Sequence, residues 1–135
     1  MTNEVFIVSG ARTPIGSFMG NLSSFSAPEL AAAAIQKTLD TSSVEADQID
    51  EVLIGNVVSA GLKQAPARQA MRLAGIPDRC GATTINKVCG SGMKATMLAY
   101  DLIRSGSADT VLSGGMESMS NAPYLLANAR SGLRM

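Results

Sequence analysis

The sequence predicts an α/β domain, a mainly parallel sheet carrying a buried helix, on three observations. Four short runs of apolar and β-branched residues alternate with three segments of helical composition, in the order strand, helix, strand, helix, strand, helix, strand. An alternation of that kind closes by crossovers onto parallel strands. The third helical segment is apolar over most of its circumference, which is the pattern of a helix buried between layers. Finally, 135 residues suffice for one domain with a real core but not comfortably for two.

The first run, Val5, Phe6, Ile7 and Val8, ends at Ser9-Gly10 and reads as a buried strand. Proline and glycine punctuation through Arg12-Thr13-Pro14-Ile15-Gly16 and Met19-Gly20-Asn21 marks a loop. Ser26-Ala27-Pro28-Glu29 is a capping box, with Ser26 as N-cap and Glu29 three positions on. It opens an alanine-rich helix to about Leu39, whose apolar face is Leu30, Ala31, Ala34, Ile35 and Leu39. Residues 42–45 suit a short capped turn, and residues 52–58 a second buried strand. A helix is expected over residues 66–74, stopped by Gly75 and Pro77.

Residues 82–88 are rich in β-branched side chains and lead directly into Cys89-Gly90-Ser91-Gly92. Residues 93–105 then form the apolar helix, on which Lys94, Asp101 and Arg104 share one narrow stripe and Gly106 ends the element. Residues 110–113 supply the fourth strand, before Gly114-Gly115.

Composition narrows the function classes. The chain is 46% hydrophobic, 16% charged and 4% aromatic with 13 glycines, so a folded globular domain is expected rather than disorder. A formal net charge of zero argues against a nucleic-acid binder. Residues 1–60 hold seven acids and two bases, and residues 61–135 four acids and nine bases, a split that either attracts an anionic ligand or decorates a solvated surface. No apolar run approaches the roughly 20 residues of a membrane helix, and no membrane partner is expected. Cys80 and Cys89 form no disulfide framework and the N-terminus shows no secretory pattern, so a reducing cytoplasm is expected. The chain has no histidine, the usual proton carrier near neutral pH.

Cys89 falls at a strand-to-helix turn, where α/β sheets present functional groups. Unpaired N–H groups at the start of the following helix favour negative charge, which suits a thiolate nucleophile. Gly90 and Gly92 remove bulk, so that a carbonyl can approach the sulfur and backbone N–H groups can face an oxyanion. The alternative is an inert structural cysteine in a glycine-bearing turn.

The segment Ile85-Asn86-Lys87-Val88-Cys89-Gly90-Ser91-Gly92-Met93-Lys94-Ala95 closely resembles the nucleophile segment of the thiolase family of acetyl-CoA acetyltransferases. Three further segments match in order and spacing: Val8 through Phe18, Gln64 through Ala70, and Gly114 through Ser120. The resemblance covers essentially the whole chain. It implies a thiolase-like N-terminal domain and a two-step transfer. In that transfer Cys89 takes an acyl group from an acyl-CoA, and a second acetyl-CoA, deprotonated at its methyl carbon, attacks to give a 3-ketoacyl-CoA. The reverse is thiolysis. The family further implies that the Cys89 backbone N–H serves an oxyanion hole, that coenzyme A enters as part of the substrate, and that the protein assembles as a homodimer or homotetramer. In the homodimer the strand of residues 83–88 pairs antiparallel with its copy. No separate cofactor and no metal is expected. Residues 114–120 read as scaffold, Arg12 and Arg68 as loop-ordering groups, and Cys80 as an inert thiol.

The chain departs from the family in extent. Thiolases carry an inserted loop domain that holds coenzyme A, and a second half that supplies a histidine and a second cysteine. Residues 1–135 are therefore expected to be an incomplete N-terminal domain, truncated before the loop domain and the C-terminal domain, with its sheet lacking a final strand and no turnover of its own. Two rivals stand beside this reading. A papain-like hydrolase also needs a cysteine at a helix start, but its signature has a cysteine and an aromatic where this chain has Gly92 and Met93. A non-catalytic dimerising scaffold is the second rival. Within the family, a 3-ketoacyl-CoA thiolase of longer-chain specificity also fits.

Overall fold

The computed structural model describes residues 4–132. Its main elements are α1 (Ala27–Asp40), β1 (Glu51–Gly55), α2 (Pro66–Leu73), β2 (Gly81–Ile85), α3 (Ser91–Arg104) and β3 (Val111–Gly115). The strands form one parallel sheet in the order β2-β1-β3. Glu51 is in register with Gly81 and Val111, and Gly55 with Ile85 and Gly115, so the three C-terminal strand tips lie level. The α/β class and the parallel sheet read from the sequence are those of the structure.

Side-chain alternation along β1 divides the core. Val52 and Ile54 face one layer, where α1 and α2 meet through Ala31, Ile35, Ala70 and Met71. Leu53 faces the other way, against Ala95 and Ala99 of α3. A central strand covered on both faces reads as an unbroken apolar run, and each of these side chains contributes about 1.5–3 kcal/mol by leaving water. Small residues on α2 and α3 bring those helices close to the sheet, and α1 packs on α2.

The capping box forms as expected. The Ser26 N–H and the Ser26 hydroxyl both donate to Glu29 Oε2 at 2.7 Å, and the hydroxyl contact with the backbone contact behind it hold the Glu29 carboxyl below its usual pKa. The helix stops where Thr41 Oγ1 turns back to the Lys37 carbonyl.

Two expectations are corrected. Residues 5–8 form no strand: Phe6, Ile7 and Val8 are exposed. A strand must come within about 4.8 Å of a partner edge to hydrogen-bond. Here a cavity of about 300 Å3, lined by Phe6 and Val8 on one side and Val111 and Ser113 on the other, separates the segment from the free edge of β3. Ser9 Oγ donates to the Thr38 carbonyl at 3.1 Å and ties the segment to α1 instead. The burial expected of α3 is met on one side only, since Met93, Met97 and Tyr100 remain 74%, 53% and 49% exposed. No helix among the described residues is long and apolar enough to cross a membrane.

Candidate functional site

The expected strands over residues 52–58 and 82–88 stop early, at Gly55 and Ile85, because both chains turn at the strand tips to shape one concavity. After Ile85 the backbone makes a sharp elbow. Val88 adopts φ +48°, a left-handed conformation that a β-branched residue takes only under constraint. The constraint is visible. Its N–H donates to Asn86 Oδ1 at 3.0 Å, and its carbonyl accepts the Ser91 hydroxyl at 2.6 Å and the Ser91 N–H at 3.1 Å. The same hydroxyl oxygen accepts the Lys87 N–H at 2.8 Å. Ser91 is only 4% exposed, so these bonds are shielded from competing water.

Cys89 follows directly, exposed, and two residues ahead of the first residue of α3. Its own N–H has no hydrogen-bond partner among the described residues. The start of α3 lies on the tip of β1 with no room for a side chain between them: a Cβ on Gly55 would stand 2.5 Å from the Ser91 carbonyl carbon and 2.6 Å from the Gly92 nitrogen. This close approach puts the positive end of the helix beside the sulfur at the level of the strand tips.

The groove in front of Cys89 measures about 490 Å3 and opens to solvent. Val57 and Val58 from the loop after β1, Val88, and Met116 and Met119 from the loop after β3 give it apolar walls. The arrangement therefore brings an exposed thiol and a backbone N–H together at Cys89, with hydrocarbon around them. The cavity beside residues 5–8 is lined by no cysteine among the described residues and lies at the β3 edge instead.

Cys80 contrasts with Cys89. It is 1% exposed in the core beneath α2, and burial, aided by nearby Glu51, pushes its thiol pKa up. Arg68 does order a loop: its guanidinium donates to the Cys80 and Asp78 carbonyls, each at 3.2 Å. Among the described residues Arg12 donates to the neighbouring Thr13 carbonyl alone, at 3.1 Å, and so joins no two loops there. Sequence reasoning passed over Ser91, Asn86 and Glu117. Ser91 left a trace, a hydroxyl two residues past the cysteine at a helix start; the strain at Val88 left none, because a β-branched residue there reads as more strand.

The family model for the thiolase N-terminal domain matches residues 5–135. The chain belongs to the thiolase family. Among thiolase relatives, it is 50% identical over 132 residues to an acetyl-CoA acetyltransferase of Pseudomonas aeruginosa, covering 98% of this chain and 34% of that one. It is 53% identical over 131 residues to acetyl-CoA acetyltransferase 2 of Arabidopsis thaliana, covering 97% and 32%. The crystal structure of a thiolase from Ascaris suum in complex with coenzyme A superposes with a TM-score of 0.85 at 42% identity, over 88% of this chain and 31% of that one. The chain thus spans about a third of the length of the curated thiolases it matches.

Proposed function

We propose that this chain is the nucleophile-bearing N-terminal domain of an acetyl-CoA acetyltransferase, in which Cys89 carries the acyl group between two coenzyme A thioesters. The observation that carries the reading is the placement of an exposed Cys89, with an unpaired N–H, on a strained elbow at the start of α3 in a thiolase-family chain. The Cys89 thiolate attacks the thioester carbonyl carbon of an acyl-CoA, and the developing oxyanion is met by the Cys89 N–H. The carbon–sulfur bond to coenzyme A then breaks, and coenzyme A leaves as its thiol after taking a proton. A second acetyl-CoA, having lost a methyl proton to a base, attacks the acyl-cysteine carbonyl. A carbon–carbon bond forms, the Cys89 thiolate departs, and a 3-ketoacyl-CoA results; thiolysis is the same path reversed. With no histidine in residues 1–135, the base and the proton donor are assigned to other parts of the complete polypeptide.

The same reading takes residues 1–135 as an incomplete domain followed by a loop domain and a C-terminal domain. The free edge of β3 and the cavity between it and residues 5–8 support a missing strand that would pair there. The outer edge of β2 supports homodimerisation by strand pairing, since an open edge of this kind invites a partner strand. Two unpaired thiols suit a reducing cytoplasm.

Incubating the complete enzyme with acetyl-CoA, followed by peptide mass spectrometry, tests the central claim. Acetyl on Cys89 is expected; acetyl on Cys80, or an active Cys89→Ala enzyme, would overturn it. Light scattering at micromolar concentration tests assembly, and a monodisperse monomer would remove the dimer.

A further inference from the structure

The three strand tips are tied together behind the Cys89 groove by Asn56 and Glu117. Asn56 directly follows β1 and is 2% exposed. Its backbone N–H donates to the Ile85 carbonyl at the end of β2, at 2.9 Å. Its side-chain Nδ2 donates to the Met116 carbonyl at 3.3 Å and to Glu117 Oε1 at 2.8 Å, both just past β3. Asn56 Oδ1 has no partner among the described residues, so the side chain is held through its donor end alone.

Glu117 completes the tie. Its carboxylate accepts the Val57 N–H on Oε2 at 3.0 Å and the Val58 N–H on Oε1 at 2.9 Å, in addition to the Asn56 amide. These N–H groups lie beyond the last paired residue of β1, so no sheet ladder holds them. One charged acceptor therefore sets the position of the whole segment. Val57 and Val58 form an apolar wall of the groove in which Cys89 stands, and Glu117 lies along the same groove. With three donors on its two oxygens, Glu117 is occupied as an anchor.

We infer that Glu117 is a positioning residue that fixes Val57 and Val58 as the wall facing the acyl group on Cys89, and so sets the length of acyl chain the site accepts. The inference rests on the thiolase reading and extends it to specificity. Loss of the carboxylate leaves the Val57 and Val58 N–H groups without an acceptor and the buried Asn56 amide with the Met116 carbonyl alone, and the wall moves away from the groove. A displaced wall admits longer acyl groups, since hydrocarbon pockets discriminate by size alone.

The test is thiolysis of acetoacetyl-CoA and of 3-ketooctanoyl-CoA by the complete enzyme and its Glu117→Gln, Glu117→Asp and Val58→Ala variants. Glu117→Gln places an amide N–H against a backbone N–H, and the ratio of kcat/KM values is expected to shift about tenfold toward the longer substrate. Glu117→Asp, which keeps the charge on a shorter stem, is expected to fall between Gln and wild type. Val58→Ala, which enlarges the groove directly, is expected to shift the ratio the same way. Folded Glu117 variants that lose both activities by one common factor would overturn the inference, leaving Glu117 as scaffold only. If the Glu117 variants do not fold, Val58→Ala decides: a shifted ratio supports the wall and an unchanged one overturns it. A wild-type enzyme without thiolysis and without acyl on Cys89 would instead overturn the thiolase reading itself.

Discussion

The Ser91 hydroxyl donates to the Val88 carbonyl at 2.6 Å and accepts the Lys87 N–H at 2.8 Å, closing a small ring around the left-handed Val88. Because Ser91 is buried, Ser91→Ala leaves the Lys87 N–H without its acceptor and the Val88 carbonyl with the Ser91 N–H alone, at a cost of about 1–3 kcal/mol. The strain it holds in place is about 1–2 kcal/mol for a residue with a Cβ. Val88→Gly removes that strain, so Ser91→Ala is expected to cost less in the Val88→Gly background than alone. Denaturant unfolding of the two single variants and the double variant measures the coupling; strict additivity would show that Ser91 and Val88 do not share the elbow.

The residues legible in the sequence were those whose signals are local. Ser26 with Glu29, the apolar run through β1, the stop at Gly75 and Gly106, and the glycines around Cys89 each announce one element by pattern or backbone freedom. Residues 5–8 misled because apolarity announces a strand but not its partner, and the β3 edge stands across a cavity from them. The ends of β1 and β2 were overrun for a different reason. Val57, Val58 and Val88 have strand composition, and what bends them are long-range bonds from Glu117 and the clamp by Ser91, neither of which has a sequence period.

The two cysteines differ enough in exposure and environment to be told apart chemically. Burial and Glu51 keep Cys80 as a thiol, whereas Cys89 is exposed at the elbow. With native enzyme, iodoacetamide is expected to modify Cys89 at least about a hundredfold faster than Cys80, since the thiolate is the reacting species and access is required. Timed alkylation with peptide mapping gives the two rates. Comparable rates would mean that the core around Cys80 opens readily.

Gly55 is expected to tolerate no side chain. Its added Cβ would meet backbone atoms of Ser91 and Gly92 rather than a flexible side chain, so the start of α3 must move. Gly55→Ala should cost about 1–3 kcal/mol in stability. It should also lower the rate of Cys89 acylation in whatever enzyme folds. Stopped-flow acylation beside thermal unfolding separates these effects, and normal acylation would show that the helix start is free to adjust.

Asp50 gives stability an acid dependence. Its carboxylate accepts the Thr110 and Asp109 N–H groups, each at 2.9 Å, joining the entry of β1 to that of β3. The Thr110 bond first, then the Asp109 bond, hold its pKa below the ordinary 3.8. A depressed carboxyl stabilises the fold fully above its unfolded pKa, and that stability is lost as pH falls through the lower folded value. Asp50→Asn should therefore reduce stability at neutral pH and flatten the decline below about pH 4. Unfolding midpoints from pH 7 to pH 2 supply the comparison. The site is solvent-exposed, so the difference is expected to be small; parallel curves for the two proteins would remove Asp50 from the acid response.

Residues 1–135 alone are expected to show no useful thiolase turnover. The elbow and helix start can present the Cys89 sulfur, and slow self-acylation is consistent with that. Turnover further needs a base for the incoming acetyl-CoA, a proton donor for the departing coenzyme A and a surface that holds it. This chain has no histidine, and its other cysteine is buried. Catalytic groups that act as a unit lose nearly all their effect when one is missing, so the absence of several leaves little. The exposed Met93, Met97 and Tyr100 of α3, together with the uncovered β3 edge, should also make the isolated chain associate with itself. Acetoacetyl-CoA thiolysis by purified residues 1–135, beside the complete enzyme and with sedimentation of both, measures the two expectations together. Comparable turnover from a well-behaved monomer would show that the chemistry assigned to the rest of the polypeptide already resides in these residues.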